Sequence, residues 1–187
     1  MYYRNVMRRL VLLLSCLLAQ ASWSSGPPGE FVDEGVCPFE CCEYGRWTAV
    51  QSVTVFDQVE GKPVAKLHPD ESVDALTGDV YISEPGLVVV RRDYQSPESG
   101  RRYQAGDRMY VYTSQGEGFF RVWVDQAWLS EEITFLAGWD SCEEDDSCWG
   151  EVVRVPASRW WINVRQDNGQ QGWVQDTDVF LGSDACG

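Results

Sequence analysis

The stretch from Arg159 to Leu181, RWWINVRQDNGQQGWVQDTDVFL, limits this chain's folding options more than any other. A β-rich run (Trp160–Arg165) is followed by a turn (Gln166–Gln171) and a second short run (Gly172–Gln175). The turn carries Asp167, Asn168 and Gly169, residue types that accept positive φ in tight hairpin loops. Gly172 stands where a strand interior normally carries a side chain, which predicts a close approach by another group. The spacing therefore predicts a β-hairpin. Strand alternation puts Trp160, Ile162 and Val164 on one face and Trp161, Asn163 and Arg165 on the other. Two adjacent strand residues cannot both face a single core, so one of the two tryptophans is expected at the surface.

The rest of the chain reads as β as well. Trp47 to Phe56 is rich in β-branched and aromatic residues, and Pro63–Leu67 and Ser72–Tyr81 follow. Turn signals at His68-Pro69-Asp70 and Thr77-Gly78-Asp79 divide them. Short strands at such spacing predict an all-β sandwich or small barrel. Gly86–Arg92 is a continuous apolar strand, and Asp93–Gly106 is a loop. Arg108–Thr113 and Gly118–Val124 form a second hairpin around Gln115-Gly116-Glu117-Gly118. Only Ala127–Ile133 leans toward helix. Glu151–Val155 restarts strand structure ahead of the organising hairpin.

The N-terminus reads as a signal peptide over residues 1–21. Arg4, Arg8 and Arg9 precede an apolar run, Leu10–Leu18, and Ala19-Gln20-Ala21 supplies an A-x-A cleavage signal. The run is too short to span a bilayer, so the cleaved chain is expected to have no transmembrane segment. Leu13-Leu14-Ser15-Cys16 loosely fits a lipoprotein box, and Arg8-Arg9 a twin-arginine route. The apolar run continues past Cys16, however, which favours cleavage after Ala21. The expectation is an exported protein, periplasmic or secreted. Residues 22–36, small, polar and rich in Pro and Gly, read as a flexible leader.

Charge and cysteines agree with export. The whole chain carries −14, and removing the three arginines of the leader peptide takes it to −17. Nucleic acid and anionic membranes would both repel such a chain; basic ligands would not. The cysteines left after cleavage are Cys37, Cys41, Cys42, Cys142, Cys148 and Cys186. An even number in an exported chain predicts disulfides, in any of fifteen connectivities. Cys142 and Cys148 are expected to pair locally, and Cys186 to reach back to the Cys37–Cys42 cluster. With His68 the single histidine, the pattern argues against zinc.

The tryptophan pair, valine, turn glycine and Gly-Trp-Val order of Trp160, Trp161, Val164, Gly169, Gly172, Trp173 and Val174 resembles the distal half of bacterial SH3-like domains. The stretch PVAKLHPDESVDAL resembles the proximal half less closely. The resemblance implies an SH3-like barrel from 37–82 plus 149–187, with a second SH3-like β lobe, 83–148, inserted into it. It also implies a non-catalytic binding module for a peptide, protein or cell-wall component. The tryptophan of the family's groove would be Trp160, whereas alternation exposes Trp161; Asp176 and Asp178 would supply nearby acids. The chain departs from the eukaryotic pattern by lacking an Ala-Leu-Tyr-Asp-Tyr-type opening, which puts PxxP binding in doubt.

No catalytic constellation emerges. His68 sits beside Pro69 in a turn, and the cysteines are expected to be oxidised. The acidic run Asp140–Asp146 lacks the ligand spacing and glycine of an EF-hand loop, so it reads as a solvated loop, and no cofactor is called for. Carboxylates are abundant, with 29 acids in the chain, so their presence says nothing about glycoside hydrolysis. Two other readings stand beside the binding module: a structural envelope or secreted scaffold with no groove, and, third, a carboxylate-based hydrolase.

Overall fold

The computed structural model describes residues 26–138, 142, 148–175 and 178–186. The signal-peptide reading, most of the acidic loop and Asp176 therefore lie outside the described residues. Among the described residues fifteen strands follow one another: β1 Phe31–Asp33, β2 Arg46–Ala49, β3 Val53–Phe56, β4 Pro63–Leu67, β5 Ser72–Glu84, β6 Gly86–Val90, β7 Tyr94–Gln95, β8 Arg102–Tyr103, β9 Arg108–Gly116, β10 Phe119–Val124, β11 Ala127–Glu132, β12 Gly150–Arg154, β13 Ala157–Gln166, β14 Gln171–Gln175 and β15 Phe180–Leu181. The protein is all-β. No helix among the described residues is long and apolar enough to cross a membrane.

The larger sheet runs β15-β2-β5-β13-β14-β3-β4, with β1 added to β5; a five-stranded sheet runs β11-β10-β9-β6-β12, and β7 pairs β8. Strands from both sides of the 86–154 segment, β5 and β13, thus lie side by side, while that segment supplies the second sheet. Gly150–Arg154 pairs with β6, so it joins the inner segment and not the outer one with which the 148/149 boundary grouped it.

The β13–β14 hairpin forms as its residues dictate. Ile162 pairs with Val174 and Val164 with Gly172, and Gly169 takes φ +85° in the turn. A Cβ at Gly172 would lie 2.5 Å from Val55 Cγ1 and 2.6 Å from the Phe56 carbonyl oxygen. The close approach is therefore made by β3, which crosses this point and is paired there through Trp173 and Phe56.

The turn expected at Thr77–Asp79 does not exist. β5 continues through it, and the register shifts where Asn163 pairs Thr77 but Val164 pairs Ala75. Leu76 is the extra residue of this bulge and is exposed. The bulge reverses the phase of alternation, so Val73 and Ala75 before it, and Val80 and Ile82 after it, all face the same core. Gly78 is needed because a Cβ there would lie 2.3 Å from Trp160 Nε1 and 2.7 Å from the Tyr44 hydroxyl.

Two further expectations are corrected. Residues 22–36 are not a free leader where they are described: Phe31–Asp33 pairs with Val80–Ile82, the Tyr112 hydroxyl donates to the Pro28 carbonyl, and Asp33 accepts from Thr113 and Arg121. The pairing with β5, the packing of Phe31 and Val36 on the larger core and the two bonds to Asp33 together offset the conformational entropy lost in ordering the segment. Ala127–Glu132 is a strand, because pairing with β10 along its whole length overrides a weak helical propensity.

Alternation in β9 and β10 explains how the sheets stack. Met109, Val111, Val122 and Val124 build a core of their own with Val88, Val90, Ile133 and Trp149. The opposite faces send Tyr110, Tyr112 and Trp123 against the larger core, which centres on Trp47, Val55, Ile82, Ile162 and Val164. Disulfides join Cys37 to Cys42, Cys41 to Cys186, and Cys142 to Cys148, the local pairing and the long return both as expected.

Candidate binding face

Neither member of the tryptophan pair lies at the surface: Trp160 is 9% exposed and Trp161 2%. Alternation does send them to opposite faces, but each face is covered. Trp160 enters the larger core, with ring centroids 5.8 Å from Phe39, 6.2 Å from Tyr44 and 6.0 Å from Trp47. The disulfide-pinned segment around Cys37–Cys42 brings Phe39 and Tyr44 there. Trp161 packs edge-on to Phe56 of β3, 5.5 Å away. Both indole N–H groups are buried without an aligned hydrogen-bond partner among the described residues, although the Tyr44 hydroxyl lies close to Trp160. Asp178 is exposed beyond β14.

The exposed tryptophan among the described residues is Trp128. Its ring lies 4.8 Å from Phe31 and 4.6 Å from Tyr112, and the Arg121 guanidinium sits 5.8 Å from it and 5.5 Å from the Phe31 ring. Arg121 is in turn held by Asp33, 2.9 Å away. The strand β1 thereby ties an aromatic patch of the second sheet to the edge of β5.

On the outer face of that same edge a cleft opens. It has a volume of about 410 Å³ and is lined by Glu30 to Val32, Val59 and Glu60, Tyr81 to Ser83, and Arg159. Its floor follows from register: Val32 and Arg159 both pair across from Tyr81, on either side of β5. Alternation points these three side chains outward while Val80 and Ile82 point into the core. The turn after β3 makes one wall. Asp57 caps that turn by accepting from the Lys62 amide at 2.7 Å, and Glu60 takes φ +55°, which aims its carboxylate at Arg159, 2.8 Å away. The Tyr81 phenol is pushed up by partial burial and by the carboxylates of Asp79, Glu34 and Glu60. Glu30, at the rim, has no ion pair among the described residues.

Sequence reasoning missed this cleft. In the sequence Tyr81 is one strand residue among many, and nothing local reveals that residues 32, 60, 81 and 159 meet.

Among the described residues one cluster has the makings of a metal site, and its chemistry argues against one. Ligand atoms of Cys41, Asp184 and Cys186 come together, but the two sulfurs are bonded to each other, and a disulfide offers no thiolate. His68 is exposed in the turn after β4.

A comparison with protein-family models, with curated proteins and with solved structures finds no match to this chain.

Proposed function

We propose that this protein is an exported, non-catalytic binding module of SH3-like type, which takes a segment of a peptide or protein in the cleft above Tyr81. The observation that carries the reading is the Val32–Tyr81–Arg159 row, walled by Val59 and Glu60. It joins an aromatic floor, an apolar side and charged rims in a concave site of ligand-binding size, roughly 300–1,000 Å³ in most proteins. The Trp160–Val174 hairpin within an antiparallel sheet supports the SH3-like assignment, and three disulfides suit an oxidising compartment. The binding anchor moves from Trp160 or Trp161 to Tyr81 because both indoles are buried.

That burial also favours the second reading, a secreted or envelope scaffold without a ligand. One selection separates the two. Residues 22–187, oxidised, are immobilised and challenged with a display library of random short peptides, and the recovered binders are titrated against the native protein and Tyr81→Ser. The binding reading expects enriched peptides whose affinity drops by about tenfold or more in the variant, with melting temperature nearly unchanged. Failure to enrich any peptide, or binders indifferent to Tyr81, favours the scaffold.

A further inference from the structure

Resting on that reading, we infer that the cleft recognises the cationic end of a lysine or arginine side chain of a partner protein, and that this cation displaces Arg159 from Glu60. The cleft already holds one such cation of its own. Arg159 rises from the strand beside Tyr81 and meets Glu60 at 2.8 Å, with both side chains about half exposed. An exposed ion pair of this kind contributes little to stability, typically under ~1 kcal/mol, so exchanging one cation for another costs little.

Two features make the exchange favourable. Glu30 on the opposite rim brings a carboxylate with no internal cation among the described residues, and Glu34 and Asp79 act on the same phenol. One arginine therefore shares the cleft with two carboxylates, Glu30 and Glu60, and the site has capacity for a second positive charge. Tyr81 supplies a ring face for a cation and for the methylene stem that carries it, and Val32 supplies apolar contact beside it.

Charge selects the kind of partner. A second copy of this chain, at −14 overall and −17 without residues 1–21, is repelled by the same field that attracts a basic segment, and so is a nucleic acid. The same field speeds encounter with a basic protein, more strongly at low salt.

The test uses a blocked pentapeptide with a central lysine between valines and glycines, together with its glutamine and glutamate counterparts. Each is titrated into residues 22–187 by calorimetry and by amide chemical shifts. The lysine peptide is expected to move the signals of Val32, Glu60 and Tyr81 and to bind about tenfold tighter than the glutamine peptide. The glutamate peptide should leave the spectrum unchanged. Two variants report on the exchange: Glu60→Gln should weaken lysine-peptide binding severalfold, and Arg159→Gln, which removes the internal competitor, should tighten it. Equal binding of the lysine and glutamine peptides, or weaker binding by Arg159→Gln, overturns the inference. Library peptides that need Tyr81 but carry no lysine or arginine would overturn it while leaving the binding module standing. Absence of any binder would end both.

Discussion

Trp160 and Trp161 leave β13 in opposite directions, and each indole is buried, one against Trp47 and Tyr44, the other against Phe56. Truncation of either should therefore act on stability. Replacing a buried tryptophan by alanine costs about 3–5 kcal/mol, so Trp160→Ala and Trp161→Ala should each shift the urea midpoint sharply downward. Trp128→Ala, at a position 37% exposed but packed on Phe31, Tyr112 and Trp123, should cost less, about 2 kcal/mol. Equal losses at all three positions would contradict this assignment.

Glu131 is 1% exposed and accepts three hydroxyl hydrogen bonds, from Ser96 at 2.5 Å and from Ser99 and Tyr103 at 2.6 Å. The carboxylate ties the loop between β7 and β8 to β11. Tyr103→Phe removes one donor to a charged acceptor and should cost about 2 kcal/mol. Glu131→Ala orphans the buried hydroxyls of Ser96 and Tyr103, while exposed Ser99 turns to water, and should cost about 3 kcal/mol or more. Hydrogen exchange should show the Ser96–Arg101 amides losing protection first. If Glu131→Ala unfolds at the native midpoint, this network contributes nothing.

The disulfides should differ in worth according to the loops they close. Cys41 and Cys186 are 145 residues apart, and Cys142 and Cys148 only 6. On loop-closure entropy, losing the first should cost about 5 kcal/mol and losing the second about 2 kcal/mol. Double serine variants compared by equilibrium unfolding provide the measurement. The long bridge also anchors the C-terminal segment, where the Ala185 amide donates to the Cys41 carbonyl and Glu43 to that of Ser183.

Alkaline pH should destabilise the fold. Burial, with the negative field of Asp79 adding to it, pushes the Tyr44 phenol from 10.0 up to about 12; burial and the neighbouring Tyr110 do the same for Tyr112. Tyr103 is raised further, by burial and by its bond to Glu131. These phenols keep their protons when folded at pH values where the unfolded chain has lost them. Stability is therefore complete below about pH 10 and falls as the pH climbs toward 12. Melting temperatures across this window, with phenolate absorbance followed in parallel, should show unfolding and ionisation together. Tyr44→Phe should flatten the fall.

Local chemistry was enough to write much of this structure into the sequence. The β13–β14 hairpin follows from alternation and from Gly169, which suits the positive φ its turn requires. The crowding at Gly172 follows from the missing side chain, and the Cys142–Cys148 bridge from six residues of separation. The hairpin and the bridge depend on contacts within a short span, which residue type and spacing report directly; the missing side chain at Gly172 reports only that something approaches, and the group that does so, Val55 and Phe56 of β3, comes from far along the chain.

Long-range pairing decided the rest. Burial of both tryptophans needs two covering layers, Phe39 and Tyr44 on one side and Phe56 on the other, and no property of residues 160 and 161 encodes a second layer. The bulge at Leu76 rescued a strand that turn chemistry at Thr77–Asp79 had broken, because the space beside Trp160 admits only glycine at position 78. The cleft at Tyr81 draws on residues 30–32, 59–60, 81–83 and 159. Its existence depends on β1 and β13 flanking β5 in one particular register, and register is fixed by which faces are buried across the whole sheet.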